Sequence, residues 1–356
     1  MKKVFLEGEI KLNVDSADVI SKDLDVFYNP KMGMNRSISV LLLRALDVKN
    51  YSFCLPMAGT GVRAMRFLKE LPEDAIKNIF VNDLNPEMPL TLRENLKLNS
   101  LDESKLVVSV KDSRALLCEE RGFDYIDIDP YGSPNPLLDS AINRISGEGI
   151  LAVTATDTGA LAGTYPNSCI RKYWAKPLLC PQKHEIGLRI LCRKVQLIGL
   201  QYNKALIPVL SYHFEHYYRI FFKVNRGKKL CNDLFKFFDT FNYDKTNGNF
   251  LKNGEIGPLY SGSINDETLI EKIISISNND EKKFLQKLFL DAKINLPFFL
   301  DIHDVCEKNN IQGVVSCEKV IEELVLKGFV ATRVHTSPYG IRTNAPFEEF
   351  LKILKN

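Results

Sequence analysis

From residue 51 onward the chain alternates short, nearly continuous apolar runs with stretches whose apolar positions recur at helical spacing. The run Tyr51-Ser52-Phe53-Cys54-Leu55-Pro56 predicts a strand, and the turn Ala58-Gly59-Thr60-Gly61 follows it. Residues 62–70 predict a helix that stops near Pro72. A second strand is expected over 78–83, a helix over 86–99, a third strand over 106–110 and a fourth over 123–129, broken by Pro130. Residues 149–155 predict a fifth strand and 182–199 a helix rich in Leu and Arg, before two more β-like runs at 205–210 and 217–224. Seven strands this apolar, separated by helices, predict an α/β fold: an open, mostly parallel sheet covered on both faces.

Past Asn225-Arg226-Gly227 the alternation ceases, which sets a boundary between a first domain at 1–226 and a second, smaller α+β domain at 227–356. The segment 296–343 reads as helix, turn, helix and two strands around Ser337-Pro338-Tyr339-Gly340, a pattern with winged-helix character.

In open parallel sheets, ligands sit beyond the carboxyl ends of the strands. Gly59 and Gly61, Asp83, Asp112 and Asp129 therefore share one rim, and a site belongs there. The glycines let backbone approach a ligand closely while the following helix N-terminus favours an anion. Asp83 comes 22 residues after Gly61, the spacing of a ribose-binding acid; the competing role is to cap the next helix. Asp112 is placed either to accept from an adenine amine or to cap the helix that starts at Ser113.

Prolines 130, 134 and 136 stiffen the loop Asp129-Pro130-Tyr131-Gly132-Ser133-Pro134 and hold a carboxylate and an aromatic ring in fixed relation. That pairing resembles the Asp/Asn-Pro-Pro-Tyr/Phe motif of amino-group methyltransferases. An exocyclic amine on a base is a poor nucleophile because its lone pair is delocalised into the ring. A carboxylate bonded to its N–H localises the pair and takes the proton. The aromatic ring stacks the base.

Composition narrows the classes. With 356 residues, 45% of them apolar and 26% charged, the chain has globular proportions that exclude wholesale disorder. Its net charge of +3 hides a segregation: residues 159–230 carry 13 Lys and Arg against only Glu185 and Glu215. Such a block predicts a phosphate-binding surface, with Arg171, Lys172, Lys176, Arg193 and Lys194 the candidates for RNA. No apolar run approaches a membrane span, and the opening lysines meet acid before any hydrophobic stretch, so a cytoplasmic protein is expected. The eight cysteines form no C-x-x-C, and His213 and His216 lack Cys or Asp support, so no metal is expected.

Four stretches together resemble the tRNA (guanine-26-N2)-dimethyltransferase family, whose members are class I S-adenosylmethionine-dependent enzymes. They are Val26-Phe27-Tyr28-Asn29-Pro30 with Met34-Asn35-Arg36; Gly61-Val62-Arg63-Ala64-Met65-Arg66; the Asp129 loop; and Thr154-Ala155-Thr156-Asp157-Thr158 running into Cys169-Ile170-Arg171-Lys172-Tyr173. Gly257-Pro258-Leu259-Tyr260 and Ser337-Pro338-Tyr339-Gly340-Ile341-Arg342-Thr343 are similar to that family's C-terminal domain. The resemblance implies a Rossmann-like methyltransferase fold, S-adenosyl-L-methionine as donor, tRNA as partner and no obligate protein partner. It places Arg36 and either Arg63 or Arg66 at the donor's polar tail, Asp83 on its ribose, and Asp112 with Ser113 at its adenine. It makes Asp129 the base, has Phe27 and Tyr131 sandwich the guanine, and gives Pro130 a carbonyl contact. The sequence differs from the family pattern in carrying Tyr131 where Phe is commoner, in lacking an acid in Leu55-Pro56-Met57-Ala58, and in lacking the zinc-holding cysteines of some relatives. Two alternatives stand beside it: an adenine-N6 or cytosine-N4 methyltransferase, and a non-catalytic tRNA-binding protein.

Overall fold

The computed structural model describes residues 2–15, 28–313 and 315–355. It opens on an antiparallel hairpin, β1 (Lys2–Glu7) and β2 (Ile10–Asp15), followed by α1 (Gly33–Ala45). The alternating core then runs β3 (Tyr51–Leu55), α2 (Val62–Glu70), β4 (Ile76–Asp83), α3 (Met88–Leu98), β5 (Leu106–Val110), α4 (Ser113–Glu119), β6 (Phe123–Ile128), α5 (Asn135–Arg144) and β7 (Ile145–Ala155). Two short helices, α6 (Thr158–Leu161) and α7 (Pro166–Tyr173), lead into α8 (Lys183–Gln201) and the hairpin β8 (Lys204–Phe214) and β9 (Tyr217–Arg226).

Seven strands form one sheet in the order β5-β4-β3-β6-β7-β9-β8. β3 to β7 are parallel, and β9 inserts antiparallel between β7 and β8. Successive side chains of a strand point to opposite faces, and here both faces are covered. Phe53 and Tyr125 enter one apolar core with α1 and α2, while Cys54 and Ile126 enter the other with α5 and α8. Strand order reverses between β3 and β6, the switch point where such sheets open a crevice. Gly61 begins α2 at φ 75, where a Cβ would stand 2.6 Å from Leu92 Cδ1, so this turn requires glycine.

The chain continues through α9 (Lys228–Leu234), a sheet of β10 (Phe238–Tyr243), β11 (Phe250–Lys252) and β12 (Ile256–Tyr260), then α10 (Glu267–Ser275) and α11 (Asn279–Ala292). These elements are not walled off at 226/227. Ile256, Leu259 and Tyr260 pack in the same core as Leu188 and Leu191 of α8, and Leu269, Ile270 and Ile273 join the core of α1. A separate core begins only with β13 (Leu300–Asp301), α12 (Ile302–Lys308), α13 (Cys317–Leu326), β14 (Ala331–Arg333), β15 (Gly340–Thr343) and α14 (Phe347–Lys355). Its strand, helix, helix, strand, strand order around the sheet β13-β15-β14 is that of a winged helix.

Buried charges seat this unit on the first. Arg342 of β15 places Nη2 2.9 Å from Glu185 Oε2 and Nε 2.8 Å from Asp291 Oδ1. Glu185 also accepts from Arg189 Nε at 2.8 Å, and His335 Nδ1 lies 2.6 Å from Asp291 Oδ2. Burial raises the Glu185 and Asp291 carboxyls, but the adjoining guanidiniums outweigh it and hold both below their usual range. Among the described residues no helix is long and apolar enough to cross a membrane.

Candidate active site

Beyond the carboxyl ends of β3, β4, β6 and β7 lies a cavity of about 680 Å³. The turn after β3 contributes Ala58, Gly59 and Thr60; β4 contributes Asp83; the loop after β6 contributes Asp129, Pro130, Tyr131 and Gly132. Thr156 and Asp157 follow β7, and Tyr28, Asn29 and Arg36 close the near side. Asp83 Oδ2 accepts from Gly59 N at 2.7 Å and Oδ1 from Asn85 N at 3.1 Å, so the carboxylate shapes the glycine turn it faces.

The loop after β6 is fastened from behind. Gly132 N donates to Thr156 Oγ1 at 2.6 Å, Thr156 N returns to Gly132 O at 3.0 Å, and Tyr173 Oη donates to Ser133 Oγ at 3.0 Å. Tyr131 is 72% exposed at the cavity edge and fills no core. Asp129 keeps 20% of its side chain exposed, with Oδ2 2.6 Å from Arg63 Nη2.

Under that carboxylate is a buried network. Arg63 Nη1 lies 3.2 Å from Asp127 Oδ2 and donates to Ser39 Oγ at 2.8 Å, while its Nη2 donates to Asn35 Oδ1 at 2.9 Å. Arg219, fully buried in β9, reaches Asp127 with both terminal nitrogens at 2.8 and 2.7 Å, and Tyr125 Oη donates to Asp127 Oδ2 at 2.5 Å. Burial pushes the Asp127 carboxyl up, yet Arg219 and Arg63 overcome this and keep it below its ordinary value. Burial also raises the Tyr125 hydroxyl, so it stays a donor.

The structure sorts the predicted residues. Asp83, Asp129, Pro130, Tyr131, Arg36 and Arg63 border the cavity. Phe27 lies outside the described residues. Arg36 is already paired: Nε donates to Glu7 Oε1 at 2.6 Å and Nη2 to Asn29 O at 3.0 Å. Arg66 does not line the cavity. Glu70, one helical turn on, takes its Nε at 2.6 Å and its Nη2 at 2.8 Å, and Ser37 takes its Nη1 at 3.0 Å. Asp112 and Ser113 stand on the same rim but outside the enclosed cavity. Asp112 caps α4 through Arg114 N at 2.8 Å, and Ser113 Oγ holds Pro56 O at 2.6 Å.

The basic block divides as well. Arg171 and Lys172 are exposed on α7, and Lys172 Nζ lies 2.9 Å from the cavity residue Asp157. Lys176 is exposed and paired with Glu255. Lys194 is buried with its ammonium against the Trp174 ring, and burial together with Arg193 brings it down to about 8. Its side chain is covered by that ring rather than displayed on the surface. Arg193 is half-buried over Phe238, and Arg189, Lys204 and Arg219 are internal. Lys204 gives its three protons to the carbonyls of Ile142, Asn143 and Ile145. His213 stacks on His184 with ring centroids 3.7 Å apart.

Ser39 in the network and Tyr217 at the cavity wall carry no local signal of a site; Asn35 and Thr154 stand in the resemblance motifs with no role attached, and Glu215 and His216 also line the wall. Arg219 did carry a local signal. A lone charge within Tyr217-Tyr218-Arg219-Ile220-Phe221-Phe222 has to find a buried partner.

Sheet order and rim define an α/β protein of the Rossmann-like methyltransferase class. A family model described as N2,N2-dimethylguanosine tRNA methyltransferase matches residues 8–355. The chain belongs to that family. It is 35% identical to the tRNA (guanine(26)-N(2))-dimethyltransferase of Methanobrevibacter smithii, over 99% of this chain and 97% of the relative. To the enzyme of the same name from Pyrococcus horikoshii it is 34% identical over 98% and 97%. The solved structure of Trm1 from Pyrococcus horikoshii with S-adenosyl-L-methionine superposes with a TM-score of 0.90 at 30% identity, covering 99% of both chains.

Proposed function

We propose that this protein transfers methyl groups from S-adenosyl-L-methionine to the exocyclic N2 amine of guanine 26 in tRNA, twice, with Asp129 as the acceptor of the amine proton. The observation that carries the reading is Asp129 itself, part-exposed at the cavity in a loop pinned by Thr156 and Tyr173, next to the exposed ring of Tyr131. The N2 lone pair forms the new C–N bond, the methyl–sulfur bond breaks with its pair going to sulfur, and the N–H proton passes to the Asp129 carboxylate. A flipped guanine stacks on Tyr131, with the Pro130 carbonyl beside it.

The donor lies along the switch-point crevice, its ribose at Asp83, its adenine toward Asp112 and Ser113, and its polar tail near Arg36. The tRNA approaches across Arg171 and Lys172, with Lys176 further along the same face. The reaction is placed in the cytoplasm. Mass spectrometry of unmodified tRNA incubated with donor tests the assignment. The parent should yield dimethylguanosine and Asp129→Ala almost none; an undiminished product with the variant removes Asp129 from the mechanism. Calorimetric titration with S-adenosylmethionine separates an enzyme from a donor-free tRNA binder, which would give no heat.

A further inference from the structure

We infer that Arg63 is a positioning residue that holds the Asp129 carboxylate for the incoming amine, and is not a ligand of the methyl donor. The inference rests on the reading of Asp129 as amine acceptor. A guanidinium has five N–H donors, four of them on the terminal nitrogens. In Arg63 the terminal nitrogens make three hydrogen bonds, Nη1 to Ser39 Oγ at 2.8 Å and Nη2 to Asn35 Oδ1 at 2.9 Å and Asp129 Oδ2 at 2.6 Å, and Nη1 also forms an ion pair with Asp127 Oδ2 at 3.2 Å. The fork that would clamp a donor carboxylate is spent inside the protein.

The acceptors are themselves fixed. Asp127 is gripped by Arg219 and Tyr125, Arg219 also donates to Thr154 Oγ1 at 2.8 Å and Ser39 Oγ at 3.0 Å, and Asn35 is fully buried on α1. Arg63 therefore transmits the rigidity of β6, β7, β9 and α1 to one oxygen of a loop carboxylate. With Oδ2 held, the amine N–H is accepted at Oδ1, and the carboxylate returns to the same place for the second transfer. Displacing an acceptor by about 1 Å costs on the order of 100-fold in rate.

The full chain carrying Arg63→Met, Arg63→Lys or Asn35→Ala is assayed with unmodified tRNA, and donor affinity is read by calorimetry. Arg63→Met should lower kcat by about 100-fold while donor Kd stays within about threefold. Arg63→Lys or added guanidinium should restore about tenfold of that loss. A donor Kd weakened tenfold or more, with kcat recovered at saturating donor, overturns the inference, as does an unchanged kcat. Should Arg63→Met fail to fold, Asn35→Ala loosens the same guanidinium without stranding a charge. It should cost about tenfold in kcat with donor affinity kept, and a parental kcat overturns the proposal. Asp129→Asn separates the two readings: an active Asp129→Asn defeats the base assignment itself, whereas an inactive one beside a fully active Arg63→Met defeats only the role given to Arg63.

Discussion

Two buried ion clusters are built from the same parts to opposite ends. At the rim, Arg63 and Arg219 bind Asp127 and Asp129; at the junction, Arg189 and Arg342 bind Glu185 and Asp291. At the junction every carboxylate is buried, and Arg342 uses its remaining donors on the carbonyls of Leu296 and Phe298. The rim cluster is sealed at Asp127 and opens at Asp129. Breaking a sealed pair strands a charge and is felt as stability, whereas under the proposed mechanism altering the open carboxylate is felt as chemistry.

The largest test of this contrast is Asp129→Ala, expected to lower methyl transfer about 1000-fold, or about 4 kcal/mol of barrier, with a melting temperature near the parent's. A coincident collapse of stability would erase the distinction. Next comes Glu185→Gln, which strands part of the charge of Arg189 and Arg342. It should cost about 3 kcal/mol in denaturant unfolding, with the rate per folded molecule retained. A loss of rate with stability intact would make the junction part of the catalytic apparatus.

A smaller effect belongs to pH. Burial drives His184 down to about 4 and His213 to about 3, below the 6.5 of an ordinary histidine. Between those values the unfolded chain binds protons that the folded one refuses. Stability is therefore full above about pH 6.5 and declines as pH falls toward 4. His213→Phe should flatten that decline, seen as a narrower gap between melting temperatures at pH 7.5 and 5; an unaltered gap counts against it. Smallest is Lys172→Ala, expected to raise the tRNA KM about threefold and to make its salt dependence shallower. A steeper change at Lys194→Met than at Lys172→Ala would show that exposure had been misjudged.

Where neighbours in sequence decided the outcome, the sequence was legible. The helix 62–70 and the strand 106–110 are found at their expected limits, because apolar run, glycine turn and proline stop are local signals. Distant partners were not readable. Nothing near Arg63 in sequence announces Asn35, Ser39 or Asp129, which lie 24 to 66 residues away. Lys194 and Lys204 look like surface cations until α8 and the β8–β9 hairpin fold them inward. The hairpin β1–β2 does have a local signal, because Ile10, Leu12 and Val14 alternate along the strand after the turn at Gly8. Its Glu7 engages Arg36 and Arg66, which explains why two arginines expected at the donor are tied to protein. The boundary at 226 failed to mark a change of core because β12 and α10 supply apolar side chains to helices made far earlier in the chain.

The antiparallel insertion of β9 has a consequence for biosynthesis. Arg219 meets Thr154 across 65 residues of chain, and β7 has its outer partner only when β9 arrives. While the polypeptide emerges from the ribosome, β7 is an unprotected sheet edge and Asp127 lacks its principal counter-ion. The centre is thus completed only once β9 has been made, and until then an open strand edge and an uncompensated acid leave the growing fragment prone to aggregation.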